Sequence, residues 1–293
     1  MQARLIAYPP EHAAVVRAVD AGAVLRIGRA PDCDLVLDHP SVSRRHAELR
    51  REHGAWRVRD LGSKNGTYVD GAPVTDGADL GANGWLRFGD VYCEFALLPD
   101  EAQAANDAIL RARRTAATAH TARLGGIARL GDLLGASLRA VVELAQCDRG
   151  FVLLAEGGDY RVRASLALDP ARLATREFSG SVGAVQRALD TRRPVVVNDI
   201  GGEAWLAARQ SVMAAGLRAL VCLPLLDGER VLGAVYADRT RPGPPITTLD
   251  LELLQAFTEG AAVWIAARQA SEQLQAATPA PDWRGIVAAH GGR

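Results

Sequence analysis

Short apolar segments punctuated by turn residues open the chain. Val24–Ile27 and Asp34–Leu37 have the length and β-branched content of buried strands. Gly28, Arg29 and a Pro-Asp turn lie between them. Ala47–Leu49 pairs by pattern with Trp56–Val58 across a turn at His53-Gly54, and Asn65-Gly66 is a second, strong hairpin signal. From Asp100 to Thr121 the pattern changes. Ala and Arg dominate, large apolar residues nearly vanish, and Gly and Pro are missing, which predicts an exposed helical linker with Arg111, Arg113 and Arg114 on a solvated face.

Beyond the linker, Leu130, Leu134, Leu138, Val141 and Ala145 recur at helical spacing and predict an amphipathic helix. Phe151–Leu154 and Tyr160–Ser165 read as strands about a Gly157-Gly158 turn, and Val182–Leu189 as a short helix. Pro194–Val197 is a buried strand ending at Asn198-Asp199; Ala219–Leu226 and Arg230–Asp238 flank a tight turn at Asp227-Gly228. A long helix follows from Thr248 to Ala276, with Thr247 and Asp250 at capping-box spacing, the shorter Asp standing for Glu. Leu249, Leu253, Phe257, Gly260, Trp264, Ala267 and Leu274 are its predicted apolar seam. The fold class is therefore multidomain: an all-β sandwich, then an α/β antiparallel-sheet sensor layout with flanking helices. The 293 residues divide into 1–99, a linker over 100–123, a second domain over 124–277 and a flexible tail over 278–293, in keeping with usual domain sizes.

Charge and cysteine usage narrow the function. Lys+Arg and Asp+Glu are equal at 34 each, which argues against a sequence-independent nucleic-acid binder. Cys33, Cys93, Cys147 and Cys222 are scattered without metal-ligand spacing and read as buried thiols in a reducing compartment. The longest apolar run, Ala219–Leu226, is far short of the roughly 20 residues of a membrane span. The N-terminus breaks into Pro-Pro instead of a signal peptide, so a cytoplasmic protein is expected. Phosphate-loop, kinase and nucleophile-elbow motifs are missing, and no acid–base cluster assembles. The expectation is no catalysis, no metal and no cofactor.

The residues between the early strands carry the chemistry. Arg29, Ser43-Arg44 with His46, and Lys64-Asn65 lie in three loops, and loops at one end of a β-sandwich converge. Two guanidiniums, a hydroxyl, an amide and an ammonium suit a phosphate. Gly28-Arg29, Ser43-Arg44-Arg45-His46 and Asn65-Gly66-Thr67, with a closing strand over Trp85–Phe95 that includes Gly89-Asp90, resemble the forkhead-associated (FHA) domain. The resemblance implies an eleven-stranded β-sandwich that binds phosphothreonine peptides and catalyses nothing. It would bring Arg29, Ser43 and Arg44 to the phosphate and Asn65 to the peptide backbone, with Lys64 beside it. Gly28, His46 and Gly66 would be structural, His46 bracing the loops from beneath. Lys64 stands where many such domains carry a small hydroxyl residue.

The second half, through CDRGFVLL, RPVVVNDI, GLRALVCLPLLDGERVLGAVYADR and TLDLELLQAFTEGAAVWI, is similar to the GAF domain over Leu124–Ala270. That resemblance implies a six-stranded antiparallel sheet that binds cyclic nucleotides, bilins, haem or metabolites, or serves only to dimerise. Residues 124–270 hold no His for haem, Cys147 and Cys222 sit at core positions instead of a bilin site, and the Asn-Lys-Phe-Asp-Glu set of cyclic-nucleotide binders is not reproduced. A pocket rimmed by Asn198, Asp199, Arg209 and Ser211 is one reading; a strand ending in turn-forming Asn-Asp is the other. A homodimer through 124–145 and 248–275 is expected. The whole reads as a non-enzymatic adaptor that binds a phosphothreonine-containing protein, a Ser/Thr kinase or its substrate, and that dimerises or senses a ligand. The alternatives are a structural dimer with neither pocket used and an enzyme with its site in the GAF pocket. Thr115, with Thr118 behind it, follows the linker arginines and is a candidate phosphosite for an FHA groove of the same chain or of a second copy across a dimer.

Overall fold

The computed structural model describes residues 2–168, 182–198 and 217–277. The first part is a sandwich of eleven strands. These are β1 (Gln2–Tyr8), β2 (Val15–Val19), β3 (Val24–Gly28), β4 (Leu35–Val36), β5 (Ala47–Glu52), β6 (Ala55–Asp60), β7 (Thr67–Val69), β8 (Ala72–Pro73), β9 (Ala78–Leu80), β10 (Asn83–Phe88) and β11 (Val91–Leu98). One sheet runs β2-β1-β11-β10-β7-β8 and the other β4-β3-β5-β6-β9. Alternation along each strand turns Leu25, Ile27, Leu49, Trp56 and Val58 inward from the second sheet, onto Leu5, Leu86, Phe88 and Phe95 of the first. The Trp56 and Phe95 rings meet edge to face at 6.3 Å.

The predicted β5–β6 hairpin is present, with Leu49 opposite Val58. Its two-residue turn holds both His53 and Gly54 at positive φ, as a tight hairpin requires. The Asn65-Gly66 signal has a different outcome. β6 and β7 belong to different sheets, so this turn crosses the sandwich and closes no hairpin. The span read as one strand over Trp85–Phe95 is two, β10 and β11, hinged at Gly89-Asp90.

The second part contains α1 (Asp100–Leu124), α2 (Leu130–Leu144), β12 (Arg149–Glu156), β13 (Asp159–Leu166), α3 (Val182–Thr191), β14 (Val195–Asn198), β15 (Ala219–Asp227), β16 (Arg230–Arg239) and α4 (Thr248–Ala277). Its antiparallel sheet runs β13-β12-β16-β15-β14, five strands among the described residues where six were expected. One face packs on α2 and α4 through Leu134, Leu138, Val141, Val221, Leu223, Val235, Leu254 and Ile265. The other meets α3, where Phe151 and Tyr236 stack at 5.0 Å under Val185 and Leu189. Thr247 caps α4 as its spacing predicts: its N–H and hydroxyl donate to Asp250 at 2.9 and 2.8 Å.

Three expectations about the helices change. α1 is helical as expected, with Arg111 and Arg114 exposed, but its second half packs on the helices that follow instead of standing free. Ala117 and Leu124 are buried in the same core as α2 and α4, His120 lies edge-on to Phe257, and Arg113 donates to Asp250 at 2.6 Å. Small alanines bury a helix by letting its backbone approach closely, a signal that a count of large apolar residues misses. The buried stripe of α4 is Asp250, Leu254, Phe257, Thr258, Ala261, Ala262 and Ile265, rotated by about one residue from the predicted seam. Gly260 faces Thr121 of α1 in the same chain, and Trp264 packs on Gly125. Part of the face assigned to a second copy is therefore covered internally.

The two parts touch. The β1–β2 loop reaches the segment before α4, where Ala14 N–H donates to the Ile246 carbonyl and Thr248 N–H to the Ala14 carbonyl, each at 2.9 Å. Ala13 joins the helical core, and Glu11 pairs with Arg187 of α3.

Candidate functional site

One end of the sandwich gathers the three predicted loops around a groove of about 860 Å³, lined by Arg29, Pro40, Ser41, Ser43, Arg44, Arg45, Lys64 and Asn65 among others. β3 delivers Arg29 directly after Gly28. Gly28 has to be glycine, because a Cβ there would run into the Arg44 carbonyl oxygen. Main-chain bonds then lace the loops: Arg29 N–H donates to Ser43 O at 2.9 Å and Ala30 N–H to Arg44 O at 3.0 Å.

His46 is fully buried beneath. Its Nδ1 accepts the Ser43 N–H at 3.0 Å, which fixes the proton on Nε2, and Nε2 donates to the Gly66 carbonyl at 3.1 Å. The ring lies edge-on to Phe88, centroids 5.7 Å apart. Burial pushes the imidazole pKa down, against the opposing pull of the Gly66 carbonyl and Asp60, so the ring is a neutral strut between the Ser43 and Lys64-Asn65 loops. Gly66 itself has φ 76°, a conformation glycine adopts without strain.

The rest of the frame was not read from the sequence. Asp60 accepts from the Gly62 and Ser63 N–H groups at 2.8 Å and from the Ser63 and Thr67 hydroxyls at 2.6 Å, shaping the loop that carries Lys64 and Asn65. Burial alone would raise its carboxyl, but these bonds outweigh it and hold the pKa below the ordinary value. The Asp-x-Gly-Ser run is an Asx-turn pattern that could have marked it. Ser41 is a second hub. Its carbonyl accepts from Asn65 Nδ2 at 2.7 Å, and its hydroxyl accepts from Asp90 N–H at 2.8 Å.

Functional atoms face outward from this frame. Arg29, Arg44, Arg45, Lys64 and Asn65 are exposed and Ser43 is half-buried. The Lys64 N–H donates to Ser43 Oγ at 3.0 Å, which orients that hydroxyl within the groove. Arg45 reaches Asp32 at 3.0 Å, and this hydrogen bond lowers the Asp32 pKa. An open groove of guanidiniums, an ammonium, a hydroxyl and an amide matches a tetrahedral anion carried on a peptide.

The other candidates fare differently. Asn198 is a bracket: its Nδ2 donates to the Ile246 carbonyl at 3.0 Å and its Oδ1 accepts the Ile246 N–H at 2.8 Å. Asp199, Arg209 and Ser211 lie outside the described residues. Cys93 and Cys222 are buried and Cys147 is half-buried; burial pushes the Cys222 thiol up to about 12. Thr115 and Thr118 are exposed but sit inside α1, their hydroxyls donating to the Arg111 and Arg114 carbonyls at 3.1 Å. Entering the chain's own groove would require unwinding a helix that packs on α2 and α4.

The FHA domain family matches residues 25–89 and the GAF domain family residues 129–265. Glycogen accumulation regulator GarA of Mycolicibacterium smegmatis is 60% identical over 57 residues, 20% of this chain and 35% of that protein. The oxoglutarate dehydrogenase inhibitor of Corynebacterium diphtheriae is 56% identical over 46 residues, 16% and 32% of the two chains. The chain spans about a third of the length of these curated relatives. Among solved structures, the FHA domain of a Chlamydia trachomatis protein is 26% identical and covers 34% of this chain and all of that one, with a TM-score of 0.32. No helix among the described residues is long and apolar enough to cross a membrane. The chain carries an FHA domain over residues 25–89 followed by a GAF domain over residues 129–265.

Proposed function

We propose that this protein is a non-enzymatic signalling adaptor that captures a phosphothreonine-containing protein through its FHA groove, the GAF domain serving regulation or assembly. The observation that carries the reading is the convergence of Arg29, Ser43, Arg44, Lys64 and Asn65 from three loops onto one groove. Arg29 and Arg44 bind the phosphate, Ser43 donates a hydroxyl, Lys64 adds charge, and Asn65 bonds the peptide backbone. Each charge-assisted bond contributes about 1.5–3 kcal/mol. Relatives named for regulating glycogen accumulation and for inhibiting an oxoglutarate dehydrogenase support a regulator that acts on another protein. The partner is a Ser/Thr kinase or one of its substrates.

A peptide array presenting each sequence with and without phosphate on threonine tests this. Signal that follows the phosphate and fades in Arg29→Ala and Ser43→Ala, the second less than the first, supports the reading; signal indifferent to phosphate removes it. Self-association belongs to the same reading, through the exposed Val263 and Trp264 of α4. Light scattering that returns a monomer would exclude that part.

A further inference from the structure

The groove carries more positive charge than one phosphate needs. Arg29, Arg44, Arg45 and Lys64 line it with a single carboxylate, Asp32. That carboxylate is paired with Arg45 at 3.0 Å, so it repels an incoming anion little. Among the described residues, no salt bridge engages Arg29, Arg44 or Lys64. A phosphothreonine brings about −1.5 to −2 charges, which two arginines match.

Lys64 is then in surplus, and its setting differs from theirs. Its main chain is fixed by the bond to Ser43 Oγ, and it enters from the β6–β7 loop, whereas Asp32 and Arg45 pair across the loops on either side of β4. The ammonium is a point charge on a flexible stem, able to reach past the phosphate to a neighbouring residue. We propose that the groove prefers phosphothreonine peptides bearing a second anionic group beside the phosphothreonine, a carboxylate or another phosphate, and that Lys64 reads that group. The proposal rests on the phosphothreonine reading above. It differs from a Lys64 that only adds to the phosphate's own binding, because that role would strengthen all phosphopeptides alike.

The test is a ratio. The full chain is titrated, by fluorescence anisotropy, with phosphothreonine peptides whose neighbours are alanine, glutamate on the N-terminal side, glutamate on the C-terminal side, or a second phosphothreonine, and with the unphosphorylated glutamate peptides. At low salt the best peptide with a second anion binds about five-fold tighter than the alanine-flanked one, the scale of an exposed ion pair, and the gap narrows as salt rises. In Lys64→Ser and Lys64→Gln the ratio falls to about one, whatever the change in binding of the alanine-flanked phosphopeptide, and a cooperative unfolding transition like that of the wild type shows that the variants are folded. The unphosphorylated peptides bind weakly throughout. Equal binding of all phosphopeptides by the wild type, or a ratio that survives both substitutions, overturns the proposal and leaves the phosphothreonine reading standing. Failure of every phosphopeptide to bind overturns both.

Discussion

Replacing His46 by alanine removes the strut that joins the Ser43 loop to the Asn65 loop. The ring is fully buried and makes two hydrogen bonds, at 3.0 and 3.1 Å. Its loss leaves the Ser43 N–H without its partner, at a cost of about 1–3 kcal/mol, while the Gly66 carbonyl loses one of two donors and keeps the Gly89 N–H at 3.2 Å. The space vacated beside Phe88 adds a cavity term. The sum is about 2–4 kcal/mol, a large share of the 5–15 kcal/mol that typically holds a domain. Guanidinium unfolding followed by tryptophan fluorescence measures it, with buried Trp56 reporting on this domain. His46→Asn should recover part of the loss, since an amide oxygen can take the place of Nδ1. A pH series adds a second signature. Burial holds the folded imidazole below its ordinary pKa, so as pH falls below about 6.5 the unfolded chain takes up its proton first. Stability from this residue is full above that pH and declines below it, by up to about 1.4 kcal/mol per pH unit, until the folded ring protonates too. His46→Asn lacks that component. A destabilisation by His46→Ala under about 1 kcal/mol, or an identical pH profile in His46→Asn, would refute the reasoning.

Three further perturbations test other contacts. Gly28→Ala forces a methyl against the Arg44 carbonyl and should cost about 1–3 kcal/mol or more, with phosphopeptide affinity falling in parallel, read by denaturation and titration of the same sample. Asn198→Ala removes both bonds to Ile246, the residue whose carbonyl also holds Ala14; limited proteolysis should show faster cleavage in the segment before α4, and unchanged kinetics would show that the bracket carries no strain between the domains. Arg113→Ala leaves the nearly buried Asp250 carboxylate without its arginine. It should lower the stability of the GAF side by about 1–3 kcal/mol, read from the shift of its unfolding midpoint, less than a fully buried pair because Arg113 is partly exposed.

What could be read from the sequence was local. The β5–β6 hairpin follows from strand alternation and the His53-Gly54 turn, and the α4 cap from Thr247 and Asp250. The three loop motifs named the groove, because each phosphate-directed residue lies beside a glycine or histidine that the turn geometry needs. The misreadings were non-local. Asn65-Gly66 has the chemistry of a hairpin turn, but sheet membership decides whether such a turn closes a hairpin or crosses the sandwich. α4 is apolar over much of its circumference, so Leu253 and Leu254 compete for the core and the phase of the stripe depends on what packs against it. α1 buries Ala117 and Leu124, which composition alone does not separate from an alanine-rich spacer. The local sequence around Asn198 suits a pocket rim or a turn; its partner Ile246 is 48 residues away, and no spacing rule connects them.

Calorimetric titration of the full chain with a matched pair of threonine and phosphothreonine peptides, repeated with Arg29→Ala, tests the groove most directly. The expected result is binding only of the phosphorylated peptide, weakened in Arg29→Ala by at least about 1.5 kcal/mol, roughly tenfold, from loss of a charge-assisted bond. Equal affinity of the wild type and Arg29→Ala for the phosphopeptide, or equal heats from the two peptides, would contradict it.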